Sequence, residues 1–436
     1  MNERYPAIPF QLKVFFELGI KLLKAKGFLG YITPNTYFDL LKSGKKLREY
    51  LFSNTLLKIV ELYNVFPDAI VEPVISIYQK IEDLSKRIEI ILIPRNTTLL
   101  STFENYGIHI FKDQNELHKN KDLTFIYKST NETESLISII KEKTKPLKTY
   151  CYVYNGSKPY CKNKGIPPQT KEMIDKKIYN DFKKHDETWI KYYRGKYISR
   201  FTDKWNGEYI KYGLNLAEPR KPEVFFREKI FIRQTGDTVI ATIDNGNFTN
   251  NTMHIAFPKD NSISNAYLLG LLNSELMTWY YQTTHPTEVG KPMAEVKKAF
   301  VENLPIIIPE KSIVEKVEII VDELLCKCQN RYDKGLKFSN YIQKTYEPKK
   351  ITEAMLEFQG MSFKDYLLEL KKQKVKLSAK EQMELLDLFE EYKNNINFLS
   401  DEIQRKYAEL NDIVFSIYGI SNSDIDAIKQ SVKINI

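Results

Sequence analysis

Ten apolar or aromatic residues, Leu385, Phe389, Tyr392, Ile396, Leu399, Ile403, Tyr407, Leu410, Val414 and Ile417, recur at steps of 4, 3, 4, 3, 4, 4, 3, 4 and 3. Steps that alternate between three and four keep a stripe on one side of an α-helix, and no other regular element does this. The second consecutive 4, from Ile403 to Tyr407, is one slip in a heptad seam. Ser378-Ala379-Lys380-Glu381 is a capping box that opens the helix, and Gly419 ends it. At ~1.5 Å per residue such a helix reaches roughly 60 Å, too long to bury its stripe on itself. It needs a partner, and the helical pattern of Ser312 to Arg331 supplies one across a hairpin. Residues 311–436 are therefore expected to form a coiled-coil-like helical hairpin, with a stripe that serves packing and no active site.

The preceding chain has other periodicities. Leu12, Phe15, Phe16, Ile20 and Leu23 lie at helical spacing, and Gly27 follows as a stop. Phe28 to Thr33 is a short apolar run before Pro34, and Tyr37 to Phe52 is helical again. Two β-rich runs, Leu56 to Tyr63 and Ile70 to Tyr78, flank Asn64-Val65-Phe66-Pro67-Asp68-Ala69, and Ile88 to Ile93 is a third. Helix–strand–helix followed by a strand pair reads as the tail of an α/β sheet closed by an antiparallel hairpin. The first half of that sheet is expected to precede Met1, so the Phe28–Thr33 strand would have an open edge. Residues 96–148 read as a polar connector with one helix near Thr133 to Ile140. Residues 149–310 read as an α+β domain of short strands, with a turn at Asp244-Asn245-Gly246-Asn247 and a helix from Ala266 to Tyr281.

Composition removes several functions. No apolar stretch approaches the roughly 18 residues of a membrane span, and MNERYPAIPF is not a signal peptide, so a cytoplasmic protein is expected. Seventeen glycines never form Gly-x-Gly, which leaves neither a dinucleotide loop nor a P-loop. His109, His118, His185, His254 and His285 are scattered, and Cys326-Lys327-Cys328 places its thiols on different helix faces, so no metal site is expected. Charge is localised: Lys141 to Arg233 carries 23 Lys/Arg against 11 Asp/Glu, a net of +12 in a chain of +9 overall. A basic middle domain between near-neutral flanks suits a polyanion partner.

Particular residues carry a family resemblance. Gly27-Phe28-Leu29-Gly30-Tyr31-Ile32-Thr33-Pro34-Asn35, Gly44-Lys45-Lys46-Leu47-Arg48, Val65-Phe66-Pro67-Asp68 and Val74 to Lys80 resemble the second half of type II adenine-N6 DNA methyltransferases, especially the TaqI-like and type IIG enzymes. Trp189 to Ile198, Lys229 to Asp237, Asn250-Asn251-Thr252 and Tyr267 to Ser274 resemble, in the same order, the TaqI-like C-terminal specificity domain. The helical stretch ending Phe415 to Ile420 is similar to type IIG tails. The resemblance implies a partial Rossmann-like methyltransferase sheet at 1–95, a target-recognition domain at 149–310 and the helical tail. It also implies that Phe66 stacks on an extruded adenine, with Pro34 and Asn35 on the base-pocket side. An aromatic on a rigid hairpin would replace the stacking lost in base flipping, worth about 1–3 kcal/mol.

The chain departs from the family at the chemistry itself. The glycine loop for S-adenosylmethionine and the Asn-Pro-Pro-Tyr/Phe motif are both absent, and Ile166-Pro167-Pro168-Gln169 lies in the wrong domain. Methyl transfer is therefore expected only if a partner chain supplies the cofactor-binding half, and otherwise the chain is a truncated product. The alternative is a non-catalytic DNA-binding specificity subunit or scaffold of a restriction–modification system. Arg194, Lys196, Arg200, Arg227, Lys229 and Arg233 are the expected duplex contacts, with Asn155, Ser157 and Lys158, on an exposed turn, as weaker candidates. Arginine can read guanine through two hydrogen bonds, whereas lysine senses mainly phosphate charge.

Overall fold

The computed structural model describes residues 10–38, 41–62, 73–93, 107–119, 121–128, 130–285, 289 and 294–432. Two units divide the chain, Met1–Ile139 with Gln282–Ala294, and Ile140–Tyr281 with Glu295–Ile436. The architecture is mixed α/β with several sheets and a helical C-terminal region.

In the first unit, helix α1 (Phe10–Leu22) precedes strand β1 (Phe28–Pro34), and helix α2 (Leu41–Phe52) precedes β2 (Thr55–Glu61), β3 (Pro73–Gln79) and β4 (Arg87–Leu92). The expected antiparallel hairpin is present: β3 lies between β1 and β2, with Phe28 opposite Gln79 and Glu61 opposite Val74. Strand β2 runs parallel to β4, and a fifth strand, β5 (Ile108–Asp113), closes that side of the sheet. Strand β5 corrects the reading of 96–148 as connector and one helix. Its side chains are mostly exposed, so the strand is held by backbone pairing and leaves little hydrophobic alternation to read.

Phe16 and Ile20 of α1 and Leu47 and Leu51 of α2 bury against Leu29, Ile59, Val74 and Tyr78 of the sheet. Phe15, counted in the α1 stripe, points outward instead. Arg48 is fully buried and donates to the carbonyls of Tyr37 (2.8 Å) and Asp122 (2.7 Å). At the other end of the sheet, β1 pairs only with β3 among the described residues. Phe28 and Ile32, on its outer face, are 61% and 48% exposed.

The second unit contains two four-stranded sheets. In one, Glu228–Arg233 is flanked by Ala241–Asn245 and Met253–Pro258, and Cys151–Asn155 pairs with the far side of Met253–Pro258, all antiparallel. The other runs in the order Phe248–Thr249, Trp189–Tyr193, Tyr209–Lys211 and Asn180–Asp181. Their shared core holds Tyr192, Tyr193, Phe225, Phe231, Phe248 and Ile255.

The helix expected from Ala266 to Tyr281 is two helices, Asn265–Asn273 and Glu275–Thr284. Ser274 separates them, its hydroxyl donating to Leu271 O and accepting from Met277 N. A serine side chain that bonds local backbone competes with the helix ladder. Helix Lys311–Tyr346, 36 residues long, packs along helix Ala379–Tyr418, 40 residues long. The first helix outruns its expected end at Arg331, because Phe338 and Ile342 bury beneath a helical insert, Glu353–Leu356 and Phe363–Lys372. Ser378 and Glu381 form the capping box, and Gly419 ends the second helix at φ 66°. Seam residues Leu385, Phe389, Ile396, Leu399, Ile403, Tyr407, Leu410 and Val414 are buried.

Candidate nucleic-acid interface

Three strands of the second unit end on the loop that contains Asn250-Asn251-Thr252. Strand Cys151–Asn155 arrives through Ser157, whose N–H donates to Thr249 O at 2.9 Å. Strand Trp189–Tyr193 arrives through Gly195, whose N–H donates to Thr252 Oγ1 at 2.9 Å. Strand Glu228–Arg233 arrives through Gln234, whose N–H donates to Thr252 O at 3.0 Å. Inside the loop, the Asn250 carboxamide oxygen accepts from the Thr252 N–H at 3.1 Å. Two glycines permit this approach: a Cβ on Gly156 would lie 1.8 Å from Asn250 O, and one on Gly195 would lie 2.8 Å from Thr252 O.

Asn155, Lys158, Lys196, Arg233 and the exposed Asn251 therefore share one rim. Asn155 and Lys158 are exposed, and the Asn155 carboxamide lies 3.0 Å from Nδ1 of His254. His254 is buried, and its Nε2–H donates to Val296 O at 2.6 Å. Burial lowers the His254 pKa, more than that carbonyl and Glu295 raise it. Lys196 projects outward beside the Tyr197 ring, 4.9 Å from its centroid. Arg233 is half-buried, and its Nε donates to Thr235 Oγ1 at 3.3 Å.

Four of the other expected duplex contacts are placed differently. Arg200 is 7% exposed and donates to Thr238 and Thr278 hydroxyls at 2.9 and 3.2 Å, so it cannot reach a duplex. Lys229 is 0% exposed, paired with Asp244 and donating to Phe225 O at 2.6 Å. Both are corrected from contacts to internal supports, and burial lowers the pKa of each. Arg194 is drawn inward to Glu208 at 2.6 Å, which occupies its guanidinium. Arg227 is exposed over the Phe257 ring, 4.0 Å from its centroid, but beside the opposite end of its strand from Arg233. Six residues at ~3.3 Å each separate the two by more than 15 Å. Ser157 is buried and donates to Glu218 O.

Sequence reading missed Lys204 and Arg331. The Lys204 N–H donates to Tyr197 O at 2.9 Å, and the Lys204 ammonium lies 5.7 Å from the Tyr332 ring centroid. Next to it, the Asp203 N–H donates to the Gln329 side chain at 3.0 Å, which fixes helix Lys311–Tyr346 against this part of the domain. Neither residue stands in a motif, and Arg331 lies in a helix whose pattern reads as packing.

In the first unit, Phe66 lies outside the described residues. Pro34 is exposed at the end of β1, and Asn35 is buried with its amide 3.5 Å from Glu61 Oε1. Glu61 is 0% exposed, with Lys128 Nζ at 2.6 Å and the Tyr127 hydroxyl at 3.3 Å. The ends of β1 and β2 are thus tied to each other and to Lys128, and Glu61 Oε1 is committed to these partners. No glycine loop opens there, so the described residues do not fit an S-adenosylmethionine cradle. No group of three or more metal-ligating side chains occurs among the described residues, and none of the described helices is long and apolar enough to cross a membrane.

Residues 190–306 match the TaqI-like C-terminal specificity domain, and residues 11–66 match the Eco57I restriction-modification methylase family. The chain is similar to type II restriction–modification methylases. A curated relative, the putative type II restriction enzyme and methyltransferase RM.MjaORFECS2P of Methanocaldococcus jannaschii, is 25% identical over 311 residues. That match takes in 67% of this chain and 24% of the relative, so the chain spans about a quarter of the relative's length. Residues 310–414 match a domain of unknown function, DUF8810. Among solved structures, the type IIL restriction-modification enzyme MmeI in complex with DNA is 12% identical at a TM-score of 0.47, covering 90% of this chain and 54% of that one. The type IIG restriction endonuclease BpuSI is 14% identical at a TM-score of 0.34, covering 71% and 44%.

Proposed function

We propose that the chain recognises a specific duplex DNA site as the C-terminal part of a restriction–modification adenine-N6 methyltransferase of the type IIG kind. The observation that carries the reading is the rim: exposed Asn155, Lys158, Asn251 and Lys196 with half-buried Arg233, held by three strand ends, with Lys196, Arg233 and Asn251 inside the stretch that matches a specificity domain. Lysines there take phosphate oxygens, while the guanidinium of Arg233 and the carboxamides of Asn155 and Asn251 suit base edges in the major groove. Phe66 is proposed to stack on the extruded adenine, with Pro34 and Asn35 at the margin of the pocket. S-adenosylmethionine would donate the methyl group when bound by a cofactor-binding segment that carries Asn-Pro-Pro-Tyr/Phe, because this sequence contains neither that motif nor a Gly-x-Gly loop. That absence also supports a second reading, a specificity subunit that binds DNA without methylating it.

Selection of duplexes from a randomised pool by the full chain at moderate salt tests the proposal. One enriched, adenine-containing motif is the expected result, and absence of duplex binding overturns it. Methylation of the enriched duplex after addition of a chain bearing Asn-Pro-Pro-Tyr/Phe favours the methyltransferase reading. Binding that stays unmethylated favours the specificity subunit.

A further inference from the structure

Several lysines and arginines of the second unit that leave bulk solvent are matched to an acid, as Lys229 is to Asp244, Arg194 to Glu208 and Lys327 to Glu402. Lys204, Arg233 and Arg331 are partly buried and stand in no ion pair among the described residues. They are also close enough for each arginine to lower the pKa of Lys204 by charge repulsion, after burial itself. The surroundings supply little compensation. Glu357 attracts Lys204 but is exposed and makes no ion pair with it. Asp203 accepts from the Tyr193 hydroxyl at 2.8 Å and the Trp205 N–H at 2.8 Å, and burial raises its pKa.

Three different elements build the cluster. Arg233 ends a strand and packs its Cγ near Gly195, Lys196 follows Gly195, and Tyr197 accepts the Lys204 N–H. The Tyr332 ring and the Gln329 side chain then bring in helix Lys311–Tyr346 and with it Arg331. A fold that gathers like charges in a half-buried setting, without acids to balance them, is suited to a polyanion that arrives from outside.

We propose that Lys204 and Arg331, with Arg233 and Lys196 beside them, form a phosphate clamp that holds the backbone of duplex DNA between the recognition rim and the helical hairpin. The clamp rests on the reading of the rim as a duplex interface. It gives the hairpin a part in binding, beyond its seam. Its contacts are with charge alone, so it sets affinity and register without choosing sequence.

The test is equilibrium binding of the full chain to a labelled duplex across a salt series, for the wild type, Arg331→Gln, Lys204→Gln, the double variant and, as a charge control in the segment after the helical insert, the exposed Lys376→Gln. Each cluster variant is expected to bind about three- to tenfold more weakly, on specific and non-specific duplexes alike. Each is also expected to reduce the slope of log K against log salt by about 0.9, twice that in the double variant. Lys376→Gln should match the wild type. Removal of a repelled charge should leave Tm unchanged or raise it, whereas a fall in Tm would mark a structural role and overturn the clamp. If the wild type binds and the cluster variants behave like Lys376→Gln, the clamp fails and the rim stands. If the wild type binds no duplex, both fail.

Discussion

Arg48 and His254 show what a single polar side chain does when it is buried. Arg48 satisfies the carbonyls of Tyr37 and Asp122 and so ties the segment after β1 to a loop far along the chain. Arg48→Met keeps the bulk and strands those acceptors, so it is expected to lower stability by about 3 kcal/mol in urea unfolding. Resemblance alone placed Arg48 in a family motif, and only its burial shows the motif arginine to be a structural bracket. His254 is expected to make stability depend on pH. Its folded pKa lies below the ordinary value of 6.5, so the unfolded chain binds the proton more readily. The stabilisation is full above about pH 6.5 and is lost as pH falls towards the folded pKa. Tm measured between pH 7.5 and pH 5 should therefore drop for the wild type, and less steeply for His254→Asn. An equal pH dependence in the two proteins would refute the assignment.

At the scale of elements, the loop 249–252 is the piece on which the recognition rim depends. Gly156→Ala places a methyl group against the Asn250 carbonyl, at a distance no pair of atoms can hold. The loop must shift, and specific duplex selection is expected to fall at least tenfold while binding to non-specific DNA changes little; equal loss on both would point to general unfolding. Elements with strong signals were legible beforehand. The α1 helix, the β2–β3 hairpin and the capping box at Ser378 each follow from periodicity or local chemistry. Strand β5 was not legible, because an edge strand with exposed side chains carries no alternation. The break at Ser274 was hidden as well, since the leucines on either side continue a helical count across it.

For the molecule as a whole, the open side of the first unit's sheet matters most. Strand β1 offers an unpaired edge among the described residues, and Phe28 and Ile32 lie exposed beside it. Such an edge invites another strand. Phe28→Lys with Ile32→Thr is expected to reduce self-association, read by light scattering over a concentration series, and unchanged association would show that the edge is not the cause. A methyltransferase segment that pairs with β1 should protect the same residues from solvent.

Sequence by itself determined what depends on neighbours a few residues apart: the two long helices, the hairpin, the glycine that ends the second long helix and the concentration of positive charge between Lys141 and Arg233. It could not assign that charge. Arg200, Lys229 and Arg233 look alike in a list of residues, yet two are buried supports and one stands on the rim. Accessibility and the nearest acid decide whether a cation is consumed inside the protein or left for a partner, and both depend on residues far away in the chain. Asp244 takes Lys229, and Thr238 and Thr278 take Arg200, Thr278 lying 78 positions further along the chain.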